Sequence, residues 1–300
     1  MAVKLVDTLP KEELFVSGHT ACGGCGQAMA TRMVLKAVGK NVIVVTATGC
    51  LETFAGGYNI SPWEVPWMHS LFENSAAVAS GVEAALKTLG REDIKVVVMG
   101  GDGGTFDIGF GMLSGMVERR HNIMYICMDN QAYVNTGYQR SGATMYGTST
   151  PTTPAGKVSF GKPQPKKDVP QIMVANGADY VATASPAYPA DLIAKVKKAK
   201  EVKGPAYIQV HIPCPTAHAF PENKTVEIGR IAVETGIAPL YEIEKGKLIS
   251  SVKIKKRPVE DYLKRLGWFK HLFESPEGAK VIKELQKMAD ENIARYNLLG

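Results

Sequence analysis

Ile94-Lys-Val-Val-Val-Met-Gly-Gly-Asp-Gly-Gly-Thr105 decides the fold. Its first six residues are β-branched or apolar at nearly every position, which is the pattern of a strand covered on both faces rather than on one. Glycines then surround a single carboxylate, Asp102. A second run of the same kind, Ile123-Met-Tyr-Ile-Cys-Met-Asp-Asn-Gln-Ala132, ends 28 residues later in Asn130, with room for one helix between, Ile108–Arg119. In a doubly wound sheet, ligands gather at the carboxyl ends of neighbouring strands, so Asp102 and Asn130 are expected to face one point. A carboxylate, an amide oxygen and a backbone carbonyl are hard donors that suit Mg²⁺ holding a diphosphate. The glycines allow phosphates to approach and expose N–H groups.

Working outward, Asn41–Thr46, Tyr180–Thr183 and Ala206–His211 read as further buried strands, and Glu73–Leu89 and Pro189–Lys200 as helices. Leu192, Ile193 and Val196 fall on one face of the latter, with lysines opposite. The expected class is α/β, a doubly wound, mostly parallel sheet with helices on both faces. Gly109-x-Gly111-x-x-x-Gly115 has the wrong spacing for a dinucleotide fingerprint and reads as tight helix packing. Residues 136–170 are rich in Gly, Ser, Thr and Pro, as expected of a site loop, and close on the basic run Lys162-Pro-Gln-Pro-Lys-Lys167. After Cys214 the alternation stops, and the tail is expected to be helical, with Ser275-Pro276 as the cap and first turn of its last helix.

Composition narrows the function. The 300 residues are 45% hydrophobic and 21% charged, which is ordinary for a globular chain with a sizeable core. No apolar run is long enough to span a bilayer, and Met1–Leu14 lacks the layout of a signal peptide, so a soluble, cytoplasmic protein is expected. Net charge is +6, with 11 basic and 13 acidic side chains in residues 1–150 against 24 and 16 in 151–300. That surplus is mostly dispersed lysine, which argues against nucleic acid and fits an acidic protein or phosphate groups.

Five cysteines are present. Cys22, Cys25, Cys50 and Cys214 each stand beside Gly or Pro, whereas Cys127 lies inside an apolar strand. The first four read as metal or cluster ligands and the fifth as core. Four thiolates suit zinc or an iron–sulfur cluster. A zinc ribbon would supply a second close pair, which is missing, and this tips the reading towards a cluster.

Together, Cys22-Gly-Gly-Cys25-Gly26, Thr48-Gly-Cys50-Leu-Glu52, Gly101-Asp-Gly103, Tyr125-Ile-Cys-Met-Asp-Asn130, Tyr133-Val-Asn-Thr-Gly137 and Gly161–Lys167 resemble the thiamine-diphosphate-binding β subunits of 2-oxoacid:ferredoxin oxidoreductases, most closely the pyruvate branch. The resemblance runs from about residue 15 to 245. It implies a thiamine-diphosphate-binding domain over 1–245 and a C-terminal helical extension over 246–300. By the same resemblance, Cys22, Cys25, Cys50 and Cys214 would hold a [4Fe–4S] cluster beside the thiamine. Asp102, Asn130 and the carbonyl of Ala132 would bind Mg²⁺. Gly101, Gly103, Gly104 and Thr105 would meet the diphosphate, with Cys50 also near the cofactor, and Asn135 would lie near its reacting carbon as the catalytic residue.

The implied reaction is reversible oxidative decarboxylation of pyruvate to acetyl-CoA and CO₂, with coenzyme A as co-substrate and ferredoxin as electron acceptor. The glutamate that activates the thiamine would come from a partner subunit, since Glu52, Glu64 and Glu73 are candidates by type alone. Tyr58-Asn-Ile-Ser-Pro-Trp-Glu-Val-Pro-Trp67 suits an interface. The Lys162–Lys167 loop is expected to be solvated or to meet coenzyme A phosphates or an acidic carrier. Alternatives are the same chemistry on oxalate, 2-oxoglutarate, a branched-chain acid or indolepyruvate, and a zinc-stabilised assembly subunit without catalysis.

Overall fold

A computed structural model describes residues 10–300. Most of the segment used to judge a leader lies before residue 10 and so outside the described residues. Ten strands are described: β1 (Val42–Ala47), β2 (Trp67–Ser70), β3 (Lys95–Gly101), β4 (Ile123–Asp129), β5 (Ala132–Tyr133), β6 (Gln139–Arg140), β7 (Tyr180–Ala184), β8 (Ala206–His211), β9 (Tyr241–Glu244) and β10 (Lys247–Ser251). Eight form one sheet in the order β10-β9-β7-β8-β4-β3-β1-β2, while β5 and β6 pair separately. The six strands from β7 to β2 are parallel, and β9 and β10 run antiparallel at one edge.

β4 shows why the apolar runs fold this way. All seven of its residues are buried. Ile123, Tyr125 and Cys127 enter the core on one face, and Met124, Ile126 and Met128 enter the core on the other. Successive side chains point to opposite faces, so a strand with helices on both sides needs apolar residues throughout. Each large side chain removed from water contributes about 1.5–3 kcal/mol. Helices Gly26–Val38 and Pro189–Glu201 cover one face, and helices Ser75–Thr88 and Phe110–Glu118 share the core of the other.

One expectation needs correction. The stretch 246–300 is not purely helical, because β9 and β10 extend the sheet and β10 opens that stretch. That hairpin escapes a periodicity search because its strands carry Glu242, Glu244 and Lys247. The last helix, Pro276–Arg295, is capped by Ser275, whose Oγ accepts from the Gly278 N–H at 3.2 Å. It packs into the same core as the sheet, and Tyr296 stacks on Tyr241 at 3.8 Å. Helix Phe110–Glu118 falls within the expected Ile108–Arg119, and a π-helical turn, Gly103–Ile108, leads into it from Asp102.

Candidate active site

Four neighbouring strands, β1, β3, β4 and β8, deliver the candidate residues from their carboxyl ends. Thr48-Gly-Cys50 follows β1, Asp102 follows β3, Asn130 follows β4, and Cys214 stands three residues beyond β8. The pairing of Gly101 with Met128 brings the Asp102 and Asn130 turns level.

Asp102 is buried, and Ser141 donates a 2.5 Å hydrogen bond to its Oδ2. One atom of the Asn130 side-chain amide lies 2.9 Å from Asp102 Oδ1 and 2.9 Å from the Ala132 carbonyl oxygen. With the amide oxygen in that position, three acceptors meet without a donor. Such a cluster is stable only with a cation among the oxygens or with the amide turned so that its nitrogen donates to both partners. Adjacent oxygens around Mg²⁺, each about 2.1 Å from the ion, stand roughly 3 Å apart, so the spacing suits that ion. Burial pushes the Asp102 carboxyl well above the usual carboxylate range, nearby Asp129 pushes it further, and a cation would reverse this.

A cavity of about 250 Å³ opens over these oxygens, lined among others by Thr48, Cys50, Gly101, Asp102, Gly103 and Asn130. Ala132 and Asn135 also line it, whereas Gly104 and Thr105 do not. The Thr105 hydroxyl instead donates to the Gly101 carbonyl at 2.7 Å and meets Tyr125 Oη at 3.0 Å, which fixes the turn from behind. Gly103 has a steric reason to be glycine. A Cβ there would sit 2.5 Å from the Tyr133 ring, which lines the same cavity. Among the described residues, none of Glu52, Glu64 and Glu73 lines it.

Cys22, Cys25, Cys50 and Cys214 line one adjoining cavity of about 190 Å³. The two cavities share Gln27, Cys50, Asn130, Val134 and Asn135 as a common wall. Burial raises the Cys25 thiol, and burial together with the neighbouring Cys214, Cys25 and Cys22 pushes Cys50 to about 12, so thiolates here call for a cationic group. Among the described residues no three His, Cys, Asp or Glu groups close around one point tightly enough for a single ion. Gly24, at φ +69°, packs against the Glu222 backbone, and Thr225 Oγ1 donates to the Gly24 carbonyl at 2.6 Å, joining positions 201 residues apart. Cys127 lies apart in the sheet core, its thiol raised by burial.

Asn135 lines both cavities, and its Nδ2 donates to Thr53 Oγ1 at 3.1 Å. The expected interface segment divides. Tyr58 and Ile60 are exposed, while Trp63 is buried and stacks on Trp67 at 5.6 Å.

The lysines of 162–167 overturn the expectation of a solvated or phosphate-seeking loop. Lys162 is buried and donates to the carbonyls of Thr144, Gln164 and Pro165 at 2.7, 3.2 and 3.0 Å. Lys166 pairs with buried Asp129, and Lys167 donates to the Phe106 carbonyl and lies 3.6 Å from Asp107. The long loop thus grips the strand ends around Asp102 and Asn130 at three points: Ser141 on Asp102, Thr144 Oγ1 on the Gln131 carbonyl at 2.5 Å, and Lys166 on Asp129. Residue types at turns give no sign of such contacts. His218, donating from Nε2 to the Asn130 carbonyl at 3.0 Å, supports the turn from a fourth side.

The thiamine pyrophosphate enzyme C-terminal TPP-binding domain matches residues 47–210, which contain both strand ends of the metal turn. Pyruvate synthase subunit PorB of Methanosarcina barkeri is 54% identical over 293 residues, covering 97% of this chain and 99% of that protein.

The chain belongs to the thiamine-diphosphate-binding subunits of the 2-oxoacid:ferredoxin oxidoreductases.

Within this family, ketoisovalerate oxidoreductase subunit VorB of Pyrococcus abyssi is 45% identical over 301 residues, covering 98% of this chain and 95% of that protein. A solved 2-oxoglutarate:ferredoxin oxidoreductase from Magnetococcus marinus, with 2-oxoglutarate, coenzyme A and succinyl-CoA bound, superposes with a TM-score of 0.56 at 26% identity, covering 75% of this chain and 80% of that one. Among the described residues no helix is long and apolar enough to cross a membrane.

Proposed function

We propose that this oxidoreductase subunit acts on pyruvate, holding thiamine diphosphate with Mg²⁺ in the larger of the two adjoining cavities and a [4Fe–4S] cluster in the smaller. The observation that carries the proposal is the common wall: the Asp102 carboxylate, the Asn130 amide and the Ala132 carbonyl converge on one side of it and four thiols line the other. When bound, the thiamine would supply the centre that releases CO₂ from a 2-oxoacid, and the cluster would take electrons singly.

The protein's part is to bind, orient and shield. Asp102, Asn130 and the Ala132 carbonyl would take the cation, with Ser141 fixing the second carboxylate oxygen so that the first faces inward. The absence of a Cβ at Gly103 keeps Tyr133 in place along the diphosphate cavity, and the neighbouring amides would meet the phosphates. Cys22, Cys25, Cys50 and Cys214 would ligate the cluster. Asn135, on the common wall, has an amide that can reach a reacting group from the Thr53 side.

Partner subunits would supply the activating glutamate and further clusters, with coenzyme A receiving the acyl group, ferredoxin the electrons, and the cytoplasm as the setting. A branched-chain 2-oxoacid is a second reading, favoured by the 45% identity to a ketoisovalerate oxidoreductase subunit. The test is anaerobic purification with native partners, followed by 2-oxoacid-dependent reduction of an artificial acceptor across a substrate panel. Pyruvate should lead. A colourless complex with stoichiometric zinc, and no reduction with any acid, would overturn the proposal.

A further inference from the structure

The turn after β4 sends alternate residues to opposite sides. Asn130 and Ala132 line the cavity over Asp102, whereas Asp129 and Gln131 line a separate cavity of about 350 Å³ behind it, together with Lys166 and His211. The strand ends at Asp129 and Gln131 turns at φ +69°, and this places a second buried carboxylate next to the candidate cation site.

All of Asp129's capacity is directed backward. Its Oδ1 accepts from the Gln131 N–H at 3.1 Å, and its Oδ2 accepts from Gln209 Nε2 at 2.9 Å and pairs with the Lys166 ammonium. Asp129 is 0% exposed, and Lys166 is the one cation paired with it among the described residues. The charges can be followed from there. Asp102 brings −1, Asn130 and the Ala132 carbonyl bring none, and Asp129 is offset by Lys166. One net negative charge is a weak site for a divalent ion alone, and phosphates would complete it.

Resting on the reading of the front cavity as a cation and diphosphate site, we infer that Lys166 is a positioning residue that holds Asp129 in a closed ion pair and so makes divalent-cation binding at Asp102 conditional on diphosphate. The ion pair keeps the turn from becoming a two-carboxylate site that would load metal without its cofactor. The β3–β4 pairing of Gly101 with Met128 sets Asp102 level with Asp129, one residue further along each strand end.

The test measures Mn²⁺ affinity by electron paramagnetic resonance in the assembled complex, stripped of divalent metal and thiamine diphosphate. The wild type should bind Mn²⁺ weakly alone and tightly with thiamine diphosphate. Without the cofactor, Lys166→Met should bind Mn²⁺ about tenfold more tightly than wild type, because a buried negative charge beside the site is no longer cancelled. Asp129→Asn, which leaves Lys166 unopposed, should bind more weakly. The double variant should return to the wild-type value, and Lys166→Arg should keep it. A merely structural tether predicts the opposite sign for Lys166→Met, a loss of affinity. Affinity of Lys166→Met at or below wild type, or of Asp129→Asn at or above it, overturns the inference. If Lys166→Met fails to assemble, Asp129→Asn and the double variant decide by the same criteria. A wild type that takes no Mn²⁺ even with thiamine diphosphate overturns the reading of the cavity and this inference with it, whereas wrong-signed variants on a competent wild type overturn the inference alone.

Discussion

Asp102 Oδ1 and the side-chain amide of Asn130 stand 2.9 Å apart, although 28 residues of chain separate them. Two parallel strands in register bring them together, and with the amide oxygen turned inward a cation is the partner that suits both. Asp102→Asn removes the only charge among the three oxygens. It should lower thiamine diphosphate affinity by more than about 100-fold, measured by calorimetry in the presence of Mg²⁺, while leaving the visible absorption of the cluster unchanged. Unaltered cofactor affinity would reject the assignment.

Gly103→Ala tests shape rather than charge. The added methyl would lie 2.5 Å from the Tyr133 ring, so the ring must move into the cavity it lines. Overpacking of this kind costs about 1–3 kcal/mol. Weaker thiamine diphosphate binding is expected, with iron content unaffected. Equal loss of iron and cofactor would point to general misfolding instead.

The cysteines divide four to one. Cys25→Ser or Cys214→Ser should purify with depleted iron and sulfide, whereas Cys127→Ser, altered in the sheet core, should keep both. Iron and sulfide analysis on anaerobic samples reads the difference. Loss of iron from the Cys127 variant alone would contradict the thiol-lined cavity as its seat.

Burial lowers the pKa of His218 from 6.5 to about 4. The unfolded chain therefore binds the proton first. The stability that the neutral ring contributes is fully present above about pH 6.5 and is lost as pH falls towards 4, amounting to roughly 3 kcal/mol for a shift of this size. His218→Gln should flatten the melting temperature between pH 6.5 and 4, leaving the share from His211, whose pKa burial also lowers. An unchanged slope would mean that His218 does not titrate in this window.

The sheet and the meeting of Asp102 with Asn130 were legible because their signals are local. Unbroken β-branched runs mark strands buried on both faces, and Asp102 and Asn130 sit where such runs end. The four cysteines were legible through their Gly and Pro neighbours. Ser141, Thr144 and Lys166 were not, since their partners are 39, 13 and 37 residues away and nothing in a Ser-, Thr- or Lys-bearing loop fixes the direction of a side chain. The lysines misled most. A basic run reads as solvated, yet carbonyls and buried carboxylates beneath the loop draw it inward. β9 and β10 were missed for a related reason, because the charged residues of that edge hairpin break the apolar pattern.

The hydrogen bond from Thr225 to Gly24 sets an order of assembly on the ribosome. Cys22, Cys25 and Cys50 are synthesised early, but the wall carrying Cys214 and Thr225 is made only after the last long parallel strand has emerged. Three thiols therefore wait on an unfinished nascent chain, open to oxidation. The cavity that the four thiols line is thus completed only once residue 214 has been made.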